Sequence, residues 1–413
     1  MERERVILHC DLNNFYASVE CRYQKELQQV PMAVTGSEQN RHGVVLAKNE
    51  LAKAKGVRTG ETVWQARKKC PELVTVRPHF DRYYAVSRAA RAIYARYTDR
   101  IEPFGIDECW LDVTESQNLF GNGEEIAQRL RKEIRQELDV TISVGVSFNK
   151  VFAKLGSDLK KPDAVTVISR QDYREKLWQL PVEHLLGVGK AMLQHLWAMG
   201  VTTIGELAQT DRMILRTRFG KNGETLWLAA NGMDKSTVAL MQEQEEVKSI
   251  GHSFTCPQDL TQRDEVWKKL MLLAESVSRR LREKGLCAGG VAVTIRDSRF
   301  QYQEHTRALE LPCRSAYELA AAAMQAFDAQ YRWQSSVRAI GLRAVHLIEE
   351  QSGGQLSFYQ EFSAIQRHEQ VDSEMDSLRK KYGAGIIRRA VLMGEEYKQH
   401  GTDAAPMPTF HSK

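Results

Sequence analysis

Three carboxylates set the first chemical question. Asp11 stands at the end of the apolar run 6–10, which reads as a buried strand, and Asp107 and Glu108 stand between two short apolar segments, 101–105 and 109–113, which read as a hairpin. Like charges at contact distance cannot all stay ionised without a cation among them. Oxygen-only ligands favour a hard ion such as Mg²⁺, held by one or two carboxylates together with substrate phosphates. Two such ions about 3.5 to 4 Å apart activate an attacking hydroxyl and stabilise a leaving pyrophosphate. Taken singly, each feature has a plainer reading, with Asp107 and Glu108 as a solvated turn and Asp11 as a helix N-cap. The metal reading depends on whether the fold brings the three together.

The periodicity supplies such a fold. A helix is expected from about Asn14; Tyr83, Val86, Ala90, Ile93 and Tyr97 recur at helical spacing, as do Ile126, Leu130, Ile134 and Leu138, and Ile142, Val144 and Val146 alternate as a strand. Strand, insertion, helix, strand, strand, helix, strand is the split β-α-β pattern of a ferredoxin-like sheet. There the first and third strands are antiparallel neighbours, which carries Asp11 to the side of Asp107 and Glu108. The protein is expected to be α+β, and its domains follow from the remaining segments. Residues 18–76 are too long for a loop and contain the helix-forming run 50–55, so they form a small inserted subdomain. From 171 the pattern turns helical, with Leu186-Gly187-Val188-Gly189-Lys190 between two helices. A polar linker at 243–247 leads into a second α+β domain: strand, helix 266–284, strands near 291–295 and 300–306, helix 316–329, strand 337–347. Gly353 and Gly354 open a tail, in which helices are expected around Met375, Leu378 and Tyr382 and around Ile386, Ile387, Val391 and Leu392.

Composition narrows the function classes. The 413 residues are 42% hydrophobic, 27% charged and 8% aromatic, the balance of a globular chain rather than a disordered or fibrous one. No apolar run reaches the ~18 to 20 residues that span a bilayer. The first residues carry no leader-like apolar segment, and seven scattered cysteines form no C-x-x-C pair, so a cytoplasmic, reducing location is expected. The net charge of +5 is unevenly spread: eight Lys and Arg against two Glu between Arg41 and Cys70, and fourteen against nine acids between Thr261 and His346. Two basic regions in a near-neutral chain suit a polyanion-binding surface, though solvated helix faces would look the same.

At this point the motifs become familiar. Asp11-Leu12-Asn13-Asn14-Phe15-Tyr16-Ala17-Ser18-Val19-Glu20, Gly105-Ile106-Asp107-Glu108, Val144-Gly145-Val146-Ser147 with Asn149-Lys150-Val151-Phe152-Ala153-Lys154, and Lys160-Lys161-Pro162 resemble the Y-family translesion DNA polymerases of the DinB and UmuC type, over residues 6–348. The resemblance implies a right-hand polymerase: palm (1–17 and 77–170), fingers (18–76), helix-hairpin-helix thumb (171–240), little finger (247–348) and a tail (349–413). It implies that Asp11, Asp107 and Glu108 hold two Mg²⁺ ions with the backbone carbonyl of Leu12. Tyr16 matches the aromatic gate that excludes a ribose 2′-hydroxyl, and Phe15 and Tyr16 would offer backbone N–H groups to the triphosphate. Lys161 matches the lysine that reaches the phosphates, Lys53 stands where relatives carry Arg or Lys, and Gly43 and Val44 match the small residues that roof the nascent base pair. Ala47 and Glu50 depart from the Thr and Tyr often found near the triphosphate, so Lys48 is assigned part of that role; Asn13 and Ala47-Lys48-Asn49 look more like the UmuC branch.

Gly187, Gly189 and Lys190 would let backbone amides of the thumb meet a DNA phosphate. Gln355, Leu356, Phe358 and Tyr359 resemble the peptide by which bacterial polymerases dock on the sliding clamp, with Phe358 in place of Leu; a short strand packing back on the little finger is the plainer alternative. The resemblance therefore implies a monomeric DNA-directed DNA polymerase acting on primer-template DNA and deoxynucleoside triphosphates, partnered by a clamp and with no membrane. The rivals are a noncatalytic clamp-binding adaptor on a decayed polymerase fold and a nucleotide cyclase. The presence of Asp11, Asp107, Glu108 and Lys161 speaks against the first, and the thumb hairpin against the second.

Overall fold

The computed structural model describes residues 4–36, 43–241, 246–350, 360–383 and 385–393. The chain divides into two compact units, and the division falls within the polar linker at 243–247.

In chain order the first unit contains β1 (Ile7–Leu12), α1 (Phe15–Tyr23), β2 (Met32–Thr35), β3 (Val45–Lys48), α2 (Glu50–Ala54), α3 (Val63–Lys69), β4 (Val74–Val76), α4 (Phe80–Tyr94), β5 (Ile101–Pro103), β6 (Glu108–Asp112), α5 (Gln117–Phe120), α6 (Gly123–Leu138), β7 (Ile142–Ser147), α7 (Lys150–Leu159) and β8 (Val165–Ile168). α8 (Tyr173–Leu177), α9 (Lys190–Ala198), α10 (Ile204–Gln209) and α11 (Arg212–Ala230) complete it. Its main sheet has the order β5-β6-β1-β7-β8. β1 is central, antiparallel to both neighbours, and wholly buried. The strand alternation sorts its residues to two faces. Leu8, Cys10 and Leu12 enter the core that α4 and α6 supply with Val86, Ile93, Ile126 and Leu130. Ile7 packs instead with Trp110 and with Ala153 of α7, on the opposite face.

α7 lies unusually close to that second face, and one residue explains it. Gly145 pairs with His9, and a Cβ placed there would stand 1.9 Å from the carbonyl oxygen of Ala153 and 2.5 Å from the amide of Ser157. Only a residue without a side chain lets the helix backbone rest on the sheet at this point.

Three findings differ from the sequence reading. The inserted segment is not only helical: β2, β3 and β4 form a three-stranded sheet, ordered β3-β2-β4, on which α2 and α3 pack through Ala52 and Ala66. Its strands are three or four residues long, too short to show a period. β8 is a fifth strand of the main sheet, parallel to β7 and reached through α7. α1 continues through residue 18, where the insertion was expected to begin. The helical region α8–α11 packs Leu196, Ile204, Leu207 and Leu215 into a core it shares with Val151, Phe152 and Leu155 of α7 and Ile168 of β8, and α11 breaks at Gly220, whose φ is 61°.

The second unit contains β9 (Ile250–Leu260), α12 (Arg263–Glu283), β10 (Leu286–Asp297), β11 (Tyr302–Cys313), α13 (Ala316–Gln330), β12 (Val337–Glu349) and α14 (Gln360–Tyr382). Its antiparallel sheet is ordered β11-β10-β12-β9, and the core joins α12 and α13 to it through Leu270, Val277, Leu319, Phe327, Val293 and Leu342. α14 packs on α12 and α13, so the expected tail helix is part of this unit rather than an appendage. Among the described residues no helix is long and apolar enough to cross a membrane.

Candidate active site

The register of β1 against β6 pairs Asp11 with Glu108 directly. The amide of Leu12 donates to the carbonyl of Asp107 at 3.0 Å, which fixes the hairpin end against the strand end. Asp11 and His9 lie on the face of β1 that looks at α7, and the close approach allowed by Gly145 brings α7 side chains onto them. Lys154 Nζ lies 3.3 Å from Asp11 Oδ2 and 3.0 Å from Glu108 Oε2. Lys161, just beyond α7, places Nζ 2.7 Å from Asp11 Oδ2 and 2.7 Å from Asp158 Oδ1. His9 Nε2 is 3.2 Å from Glu108 Oε2, and its Nδ1 meets Ser157 Oγ at 2.9 Å.

Electrostatics divide the three acids. Burial, then the charges of Glu108 and Asp11, push Asp107 up to about 7. Burial acts on Glu108 in the same sense, but the His9 ring and the Lys154 ammonium prevail and hold it down at about 2. Burial raises Asp11 against the pull of Lys161 and Lys154. His9 is lowered to about 4 by burial and is neutral at physiological pH. An acidic cluster in which burial and like charge raise two members, and which draws in two ammonium groups, is short of positive charge.

Fit to a divalent cation can be judged on this geometry. The donors are all oxygen, as a hard ion requires. Two buried atoms, Glu108 Oε2 and His9 Nε2, make no well-aligned hydrogen bond. Among the described residues no three acidic, histidine or cysteine side chains already converge at coordination distance. The residues suit a hard cation in type and charge, with lysines standing beside the carboxylates that would bind it.

The loop after β1 is fixed by Asn13, which is buried. Its Nδ2 donates to Ser143 Oγ at 2.9 Å, and its Oδ1 accepts from Thr141 Oγ1 at 3.0 Å and from the Asp163 amide at 2.9 Å. Asn14 then adopts a left-handed conformation, and α1 starts with no side-chain cap and no acid in its first turn. The first amides of α1, at Phe15 and Tyr16, therefore stand where an anion is favoured. Phe15 is buried, whereas Tyr16 is half-buried and its hydroxyl is pushed up to about 12 by burial and by Asp107. The start of α1 is tied to the insertion by Asn14 Nδ2, which donates to Glu50 Oε1 at 2.8 Å. Lys53 Nζ lies 3.3 Å from the same oxygen, and Lys48 Nζ donates to Thr59 Oγ1 at 3.1 Å.

Other expected residues lie elsewhere in the unit. Gly43 and Val44 lead into β3, where Val44 bridges to Thr62 and Gly43 accepts from the Val63 amide at 2.7 Å. Gly187 has φ 95°, Gly189 is the N-cap of α9 with open space around it, and Lys190 begins that helix, uncapped by any side chain. Gln355, Leu356, Phe358 and Tyr359 fall outside the described residues. His9 and Lys154 were missed as site residues. His9 is two positions before Asp11 on the same strand face, and Lys154 and Asp158 lie one turn apart on α7 with Lys161 just beyond its end, but only the contact of α7 with β7 reveals that they meet.

Comparisons with known proteins bear on the family and the fold. Residues 10–158 match the impB/mucB/samB family and residues 247–358 match that family's C-terminal domain. A DNA polymerase IV of Acetivibrio thermocellus is 49% identical over 390 residues, 94% of this chain and 98% of the relative. A DNA polymerase IV of Clostridium acetobutylicum is 36% identical over 401 residues, 95% and 100% of the two chains. A solved Y-family DNA polymerase chimera superposes with a TM-score of 0.74 at 22% identity, covering 83% of this chain and 99% of its own, which is a likeness of fold.

Proposed function

The chain belongs to the impB/mucB/samB family of Y-family DNA polymerases, of the DinB type, and is a DNA-directed DNA polymerase of the translesion class; from that premise we propose how its residues divide the work. The observation that carries the proposal is the pairing of Asp11 with Glu108, next to Asp107, with two lysines drawn onto the cluster. Asp11, Asp107, Glu108 and the carbonyl of Leu12 hold two Mg²⁺ ions. When bound, these ions supply Lewis acidity toward the primer 3′-hydroxyl and offset the charge of the departing pyrophosphate.

The protein's own groups bind and orient. The uncapped start of α1 receives the triphosphate on the amides of Phe15 and Tyr16. Lys161, already within reach of Asp11, contributes a charge to the phosphates from one side, and Lys48 and Lys53 from the other. The Tyr16 ring faces the sugar and admits a deoxyribose. Gly43 and Val44 roof the base pair, and the amides at Gly187, Gly189 and Lys190 grip a DNA phosphate without reading sequence. Residues 1–17 and 77–170 act as palm, 18–76 as fingers, 171–240 as thumb and 247–348 as little finger. The enzyme works as a monomer in the cytoplasm, in keeping with seven free cysteines, and Gln355, Leu356, Phe358 and Tyr359 dock it on the sliding clamp.

Primer extension with Mg²⁺ and four deoxynucleotides tests the proposal, comparing the native chain with Asp107→Ala. Extension by the native chain alone, abolished by a chelator, is the expected result. Equal extension by both would remove the carboxylate assignment, and DNA binding without extension by either would restore the noncatalytic adaptor.

A further inference from the structure

Glu20 is an anomaly. It belongs to α1, yet its side chain is 0% exposed. Burying a carboxylate is costly unless donors surround it, and an apolar residue of similar size would fill the space more cheaply. Here Tyr83 Oη donates to Glu20 Oε1 at 2.5 Å, His79 Nδ1 lies 2.9 Å from the same oxygen, and Arg82 Nη1 donates to Oε2 at 3.1 Å. All three partners come from α4 or the residue before it.

The helical spacing gives this network an object. Glu20 is four residues after Tyr16, so both project from one side of α1 toward α4. Tyr83, fully buried, lies against both. Its hydroxyl is held by Glu20, and its ring stacks on that of Tyr16 with centroids 4.3 Å apart and planes 13° from parallel. Phe80 closes a second side of Tyr16, edge-on at 5.9 Å, and Phe15 a third at 5.7 Å. Stacking alone would let Tyr83 slide and turn with Tyr16. Anchoring its hydroxyl removes that freedom and makes the pair of rings one stiff slab.

We propose that Glu20, acting through Tyr83, is the positioning residue that immobilises the Tyr16 ring and thereby sets how sharply the enzyme rejects ribonucleotides. This rests on the assignment of Tyr16 as the sugar gate. A gate that yields by a fraction of an ångström admits a 2′-hydroxyl, so discrimination depends on stiffness as well as on the presence of the ring. The class of molecule affected is the ribonucleoside triphosphate, whatever its base.

The test is the ratio of kcat/KM for a deoxynucleotide to that for the ribonucleotide with the same base, measured in Tyr83→Phe, Glu20→Gln and Tyr16→Ala, each with its melting temperature. Tyr83→Phe keeps the stack and removes only the anchor; the ratio is expected to fall about tenfold, through faster ribonucleotide insertion. Glu20→Gln should fall in the same direction, and the double variant no further than the larger single effect, because both break one linkage. A larger fall in Tyr16→Ala with no change in folded Tyr83→Phe would overturn the inference while leaving the gate intact. Equal slowing of both nucleotides in Tyr83→Phe would also overturn it, reducing Tyr83 to packing. If Tyr16→Ala keeps the native ratio, the gate assignment fails and the inference with it. Should Glu20→Gln not fold, Tyr83→Phe decides alone.

Discussion

Asp11 and Asp372 are both nearly buried carboxylates, one in each unit, and their cationic partners differ in kind. Asp11 meets two lysines, Lys154 and Lys161, which also touch Glu108 and Asp158. Asp372, on α14, meets Arg389 and Arg282 and accepts from the Ala316 amide at 2.7 Å; Arg282 continues to Asp376 at 2.5 Å, and Glu275 of α12 accepts Arg379 and Arg389, each at 3.1 Å. An ammonium is a compact charge on a flexible stem, easily displaced by a stronger cation or by a phosphate. A guanidinium is a rigid fork whose hydrogen bonds fix geometry. The lysine cluster suits a place where charge must be exchanged, and the arginine cluster a place where a helix must stay docked.

The contrast can be broken most sharply by removing each carboxylate. Asp11→Ala should lower extension about 10³-fold, in line with the loss of a preorganised charge partner at a reacting centre, with the fold retained by circular dichroism. Asp372→Ala should instead cost the second unit about 3 kcal/mol in denaturant unfolding, because it strands buried arginines, while nucleotide insertion by the folded enzyme stays within assay error. Matching profiles in the two variants would erase the distinction. A smaller effect sharpens it: Lys161→Ala should raise KM for the deoxynucleotide about tenfold with little change in melting temperature, as expected for a lost charge-assisted contact to phosphate. The smallest effect is ionic. Raising salt from about 50 to 200 mM should weaken DNA binding log-linearly, whereas melting of the second unit, held by partly buried pairs, should hardly move.

The sequence disclosed the pairing of Asp11 with the hairpin because strand order alone determines it. Apolar runs at 6–10 and 109–113 and the helical periods around them leave few topologies. What it concealed depends on distances between elements. Lys154 reaches the acids only because Gly145 lets α7 rest on β7, and a glycine in a strand does not announce which helix it admits. Asp372 and Asp376 read as ordinary solvated charges on a polar helix; that Asp372 is buried and that both meet Arg282 of α12, far away in sequence, only the structure shows. Glu20 lies within the first motif, yet nothing in the sequence places Tyr83, 63 positions on, over it. β2, β3 and β4 were missed for want of length, and the segment near Gln355 that was expected to dock on a clamp lies outside the described residues.

The position of β1 at the centre of its sheet also governs when the enzyme can first exist during synthesis. β1 is translated first among the strands, but both its neighbours come much later, and Lys161 meets Asp11 across 150 positions of chain. Pairings of such separation form slowly and late, after loop-closure entropy has been overcome. A ribosome must expose residues past α7 before Asp11 meets Lys154 and Lys161, so a nascent or prematurely terminated chain that lacks this stretch carries Asp11 without its neighbouring strands and its two ammonium partners. The acidic cluster is thus assembled by one late event of tertiary closure rather than piece by piece.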